Sequence, residues 1–175
     1  MARSRSMRNA RRACNAIAAF TFAIAASAQD AKPAPCGAPE YRQFDFWLGD
    51  WEVRGPGGKI AGGNTIASTH GGCVVLESWK GMGGVTGSSF NVYDPARKQW
   101  RQTWVDSTGG ILDLEGTFAD GRMVLASKPR SASEAINRIT WQRLPDGRVR
   151  QLWETSSDGA VTWKTSFDGY YTRKQ

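Results

Sequence analysis

Histidine is almost missing from this chain. A single one, His70, stands among 175 residues. Three cysteines accompany it, Cys14, Cys36 and Cys73, far apart in sequence. Metal sites built from His and Cys need several such residues at close spacing, so no metal site is expected. Beyond residue 50 no ten-residue stretch has a helical period, which excludes a helical bundle. There is no Gly-rich phosphate loop and no nucleophile beside a base, so no motif for phosphoryl or acyl transfer is present.

Acidic residues are absent from residues 1–28, which carry Arg3, Arg5, Arg8, Arg11 and Arg12. The apolar run AIAAFTFAIAA follows at 16–26, then the small residues of ASA at 26–28. A basic start, a short apolar run and a small-residue site make a secretory leader. The run is too short to span a bilayer as a helix. Cleavage is expected between Ala28 and Gln29, with a retained anchor as the alternative. The Arg11-Arg12 pair leaves the general and twin-arginine routes both open. The protein is expected to be periplasmic or secreted, with no membrane attachment once the leader is gone.

The apparent basicity belongs mostly to that leader. The whole chain has formal charge +7, and removing the five leader arginines leaves 18 basic against 16 acidic residues. Nucleic-acid binding needs a basic patch. The arginines at 143, 148 and 150 alternate with turn and core positions and read as a solvated face, so no nucleic-acid partner is expected. The leader also contains Cys14, which leaves Cys36 and Cys73. Two cysteines in an exported chain suggest a disulfide, with a pair of free thiols as the alternative.

Residues 29–43 read as an extended tail rich in Pro and Ala. From residue 44 onward the chain reads as one β domain. Asp-Gly pairs at Gly121, Gly147 and Gly159 mark hairpins, because such turns need positive φ. About ten strands follow by this spacing, with cores near 50–55, 59–68, 72–80, 84–93, 98–106, 110–118, 122–128, 135–143, 148–155 and 161–172. Short turns join each to the next, an antiparallel up-and-down meander. So long a meander must hide its edges. The expected fold is all-β, a closed barrel entered through a short plug turn, with a two-sheet sandwich as the alternative.

Alternation assigns the inner face. Trp100, Gln102 and Trp104 oppose Arg101; Val149, Gln151 and Trp153 oppose Arg150 and Glu154. Ile139 and Trp141 oppose Arg138, and Leu112, Leu114 and Phe118 oppose Asp113 and Glu115. In the last strand Val161, Trp163, Thr165 and Phe167 are expected inside against Lys164. A polar–aromatic unit recurs at Glu77-x-Trp79, Gln102-x-Trp104 and Gln151-x-Trp153. Three buried polar groups at equivalent places imply a structural network or a ligand pocket. The pocket reading takes Glu77, Trp79, Trp100, Gln102, Trp104, Trp141, Gln151, Trp153 and Trp163 as candidate ligand-binding residues for a small apolar or aromatic molecule. Glu77 is the one candidate acid for a rival enzymatic reading. A structural or protein-interaction role in the envelope is the third possibility.

The stretch FDFWLGDWEV at 44–53 contains Gly49-Asp50-Trp51, which resembles the Gly-x-Trp element of the lipocalin and calycin superfamily. That resemblance implies a tryptophan closing one barrel end under an arginine of the last strand, here Arg173. FDFWLGDWEV, GGCVVLESW, YDPARKQWRQTWVD and QLWETSSDG with the later TW and FDGYY together resemble an exported bacterial domain family with lipocalin-like folds and no assigned activity. The likeness covers residues 44–171 and implies a β-barrel without implying a reaction. The chain also resembles nitrobindin-like haem barrels in its early Gly-x-Trp, but it has no late histidine to hold iron. No cofactor is expected.

Overall fold

The computed structural model describes residues 35–131 and 133–175; the expected leader and its cleavage site lie outside the described residues. Ten strands follow one another: β1 (Gly49–Arg54), β2 (Ile60–Thr69), β3 (Val74–Gly81), β4 (Thr86–Asp94), β5 (Gln99–Asp106), β6 (Ile111–Ala119), β7 (Arg122–Ala126), β8 (Ile136–Arg143), β9 (Val149–Ser156) and β10 (Lys164–Arg173). Each pairs with its neighbours in sequence, and β1 pairs with β10, so the sheet is a closed antiparallel up-and-down barrel. Closure removes both free edges, and the sandwich alternative does not apply. The turn at Asp120-Gly121 shows why the hairpin signal works. Both residues have positive φ, which matches the twist of the flanking strands.

An up-and-down barrel sends alternate hairpins to opposite ends. The β2–β3, β4–β5, β6–β7 and β8–β9 turns share one end with the chain entry. The β1–β2, β3–β4, β5–β6, β7–β8 and β9–β10 loops surround the other. The entry end is plugged by the 3₁₀ turn Asp45–Trp47. Phe44 and Trp47 are fully buried there, with Trp51, Trp100, Met123, Trp141 and Tyr171. Phe44 stacks on Trp47 at 4.9 Å and meets Trp100 and Trp141 edge-on at 5.6 and 5.3 Å. Offset and edge-on contacts of this kind add about 0.5–1.5 kcal/mol each to area burial.

The Gly-x-Trp element ties this plug to both ends of the sheet. The Trp51 indole N–H donates to the carbonyl of Trp47 at 2.8 Å. Arg173 lies over the Trp51 ring at 4.5 Å and donates to the carbonyl of Leu48 at 2.9 Å. Gly49 has φ +138°, and a Cβ there would overlap the Arg173 guanidinium.

Two local departures from the expected pattern matter. Residues assigned to an extended tail include a 3₁₀ turn, Pro39–Arg42, laid across the plugged end. Tyr41 meets Tyr93 edge-on at 5.3 Å, and Gln43 accepts from the Trp100 indole at 3.1 Å. A disulfide between Cys36 and Cys73 anchors this segment to the start of β3. In β10, a bulge between Thr165 and Phe167 inserts one residue against β9. The extra residue reverses the parity of what precedes it. Only Phe167 of the expected inner set points inside. Thr165 is exposed for that reason. Val161 and Trp163 precede β10, which starts at Lys164 rather than at the expected 161. There Val161 is exposed, and Trp163 packs 3.8 Å from the Arg138 guanidinium.

Gly49→Ala is expected to destabilise the barrel by about 2 kcal/mol, since it adds both strain and a clash with Arg173. Trp51→Ala is expected to cost about 3–5 kcal/mol by emptying the plug. Denaturant unfolding of both variants checks the magnitudes. A Gly49→Ala midpoint equal to that of the native protein would contradict the seam described above.

Candidate functional site

The half of the barrel away from the plug is not filled. A cavity of about 210 Å³ lies there, lined by Glu77 and Trp79 of β3, Gln102 and Trp104 of β5, Leu112 of β6, Ile139 of β8, Gln151 and Trp153 of β9, and Ser166, Phe167 and Tyr171 of β10. Six of the expected ligand-binding residues therefore share one chamber: Glu77, Trp79, Gln102, Trp104, Gln151 and Trp153. Trp100 and Trp141 point inward but belong to the packed plug. Trp163 lies outside the wall, because it belongs to the loop before β10 and packs on Arg138.

The chamber stays open because its rings lie against the wall rather than across it. Inner-face glycines next to Trp79, Trp104 and Phe167 make this possible. A Cβ on Gly62 would sit 2.7 Å from the Trp79 ring, and one on Gly87 would overlap the Trp104 ring. Gly169 does the same beneath Phe167. The ring orientations are held by specific bonds. The Trp104 N–H donates to Asp106 at 3.1 Å. Asp106 is held down to about 2 by the Thr108 hydroxyl, by the Thr108 backbone N–H and by that indole, so it remains ionised. The Trp153 N–H donates to Asn137 at 2.8 Å. Trp79 meets Phe167 edge-on at 6.1 Å.

The floor of the chamber is a continuous belt of polar side chains. Gln102 Nε2 donates to Asn91 Oδ1 at 2.8 Å and to Ser89 Oγ at 3.3 Å. Asn91 Nδ2 donates to Ser89 Oγ at 3.0 Å and to the carbonyl of Val75 at 2.9 Å. Ser89 Oγ donates to Glu77 Oε2 at 2.6 Å, and Asn64 Nδ2 to Glu77 Oε1 at 2.7 Å. Asn64 also approaches the Tyr171 hydroxyl at 3.4 Å, and Tyr171 donates to Gln151 Oε1. The three repeated polar residues are thus joined into one network. That leaves Gln151 Nε2 and Gln102 Oε1 without protein partners among the described residues.

Burial shapes the chemistry of this floor. It pushes the Glu77 carboxyl above its ordinary value, against the lowering effect of the Ser89 and Asn64 hydrogen bonds. It pushes the Tyr171 phenol well above its ordinary value too, helped by the nearby Glu77 charge. Tyr171 therefore remains a neutral donor.

Asn64, Ser89 and Asn91 escaped the sequence reading. On β4 the inner face carries Gly87, Ser89 and Asn91, while Phe90 is 52% exposed and Val92 38% exposed on the outer face. A hydrophobicity rule turns this strand inside out. The available signal was register, since Ser89 sits directly opposite Glu77. The chain matches no model of a known protein family and no curated protein.

The raised Glu77 carboxyl fixes the sign of a pH effect. The folded protein holds a proton that the unfolded chain releases above the ordinary value of 4.5. The associated stability is full below that value and is lost as pH rises through the folded one. Glu77→Gln is expected to remove this decline. Melting temperatures of both proteins from acid to neutral pH test it: their difference should shift in favour of the glutamine variant as pH rises.

Proposed function

We propose that the protein binds a small, flat apolar or aromatic molecule in the unplugged half of its barrel. The observation that carries this reading is the chamber itself. Trp79, Trp104, Trp153 and Phe167 form its walls, Leu112 and Ile139 add apolar surface, and Gln102, Gln151, Tyr171 and Glu77 converge on its floor. An apolar pocket with a few placed polar groups is the usual form of a small-molecule site. Its volume of about 210 Å³ lies below the common range for drug-sized ligands and above the ~150 Å³ that accommodates benzene. A guest of one ring, or two fused rings, fits this space.

Binding suits the lining better than catalysis. Both Glu77 oxygens accept hydrogen bonds from the protein, and among the described residues no histidine, lysine or cysteine lines the chamber. The Cys36–Cys73 disulfide supports the expected exported location, since such bonds persist in oxidising compartments. Among the described residues no helix is long and apolar enough to cross a membrane.

A single bicyclic guest would bury ~200 Å² of apolar surface. At ~25 cal/mol per Å² that is about 5 kcal/mol, a dissociation constant on the order of 100 µM before hydrogen bonds are added. Indole titrated by calorimetry is expected to bind in this range. Trp153→Ala should weaken it about tenfold, the loss of ~1.4 kcal/mol of ring contact, and Leu112→Trp should abolish it by filling the chamber. Trp163→Ala, on the outer wall, should leave it unchanged. Absence of binding by indole and by one-ring aromatics would refute the proposal.

A further inference from the structure

Glu77 is a carboxylate without a cation. It is 4% exposed and lines the chamber. Its two partners, Asn64 and Ser89, are neutral donors. Among the described residues no lysine, arginine or histidine lines the chamber, and their ion pairs all lie elsewhere. A buried charge left unpaired is expensive, and nearby hydrogen bonds only partly offset it, so without a cation Glu77 keeps its proton above the ordinary value.

The hydrogen-bond directions reinforce the point. Gln102 and Asn91 both donate to Ser89 Oγ, and Ser89 in turn donates to Glu77. The relay therefore ends on Glu77 and gives it neutral hydrogen bonds rather than positive charge. Around the chamber stand three indoles and a phenyl ring, Trp79, Trp104, Trp153 and Phe167. Aromatic faces attract cations, indole most strongly, and the attraction grows when water is excluded. One carboxylate among amides is a poor oxygen set for a metal ion. A positively charged carbon-bearing group satisfies both the acid and the rings.

We propose that the guest of this chamber is an organic ammonium, its charged head between Glu77 and the indoles and its apolar remainder against Leu112 and Ile139. This rests on the small-molecule reading above and narrows it to a ligand class.

Phenyltrimethylammonium and tert-butylbenzene test the inference, because they have the same shape and differ by one positive charge. Binding to the native protein is read by tryptophan fluorescence. The ammonium is expected to bind about tenfold or more tightly than its carbon isostere. Glu77→Gln should reduce that preference to what the rings alone supply, weakening the ammonium while sparing tert-butylbenzene. Equal affinity, or preference for tert-butylbenzene, in the native protein overturns the inference and leaves the apolar binding reading standing. If neither compound nor indole binds, both fall. The comparison within the native protein decides the matter even if Glu77→Gln fails to fold.

Discussion

The seam between β1 and β10 is the constraint on which the rest of the molecule depends. It spans only four residue pairs, Trp51 to Arg54 against Tyr170 to Arg173. Backbone pairing alone would make this a weak join in a ten-strand sheet. The side chains around it reinforce it from one end. Arg173 covers Trp51 and also holds the carbonyl of Leu48, while Trp51 holds that of Trp47. One indole and one guanidinium thereby fasten the plug to the first and last strands together. Gly49 is required because no side chain fits beneath that guanidinium.

Once the sheet is closed, its interior has to be occupied. A barrel of ten strands is wider than one that side chains fill unaided. The molecule meets this differently along its axis. At the plugged end, stacked and edge-on rings from the 3₁₀ turn and from β1, β5, β8 and β10 make a packed core. Across the middle runs the polar belt from Gln102 to Gln151, with Glu77 near its centre. Beyond the belt, rings lie flat on glycines and space remains. The belt has a double role. It closes the packed core above, and it presents hydrogen-bonding groups to the chamber.

Alternation along the strands made much of this legible from sequence. The arginines and acids of β5, β6, β8 and β9 oppose their tryptophans and the leucines of β6, with Leu152 of β9 the exception on the outer face, so the inner face of those strands could be read directly. The strand count and the plug followed from turn chemistry and from Gly-x-Trp. Two strands resisted for identifiable reasons. In β10 the bulge after Thr165 changes parity without any residue type that announces it. In β4 the inner face is polar because its partners on the neighbouring strands β3 and β5 are polar, a fact of register that one strand cannot contain. Division of the inward tryptophans between plug and chamber also escaped the pattern. Parity says which way a ring points, whereas height along the axis decides what it meets. Trp100 and Trp104 differ by four residues on one strand and belong to different halves.

The contact of Arg173 with Leu48 joins residues 125 apart in sequence. Such a contact has a consequence for the order of folding. Hairpins from β2 to β9 can form between neighbours, each closing a short loop at small entropic cost. The final join must instead bring distant segments together, and long-range pairing of this kind slows folding. Until β10 is in place, the aromatic plug has no lid and the sheet has two open edges. The exposed interval favours association with other chains. A late-closing barrel of this design gains its protection all at once, at the moment a single arginine settles over a single tryptophan.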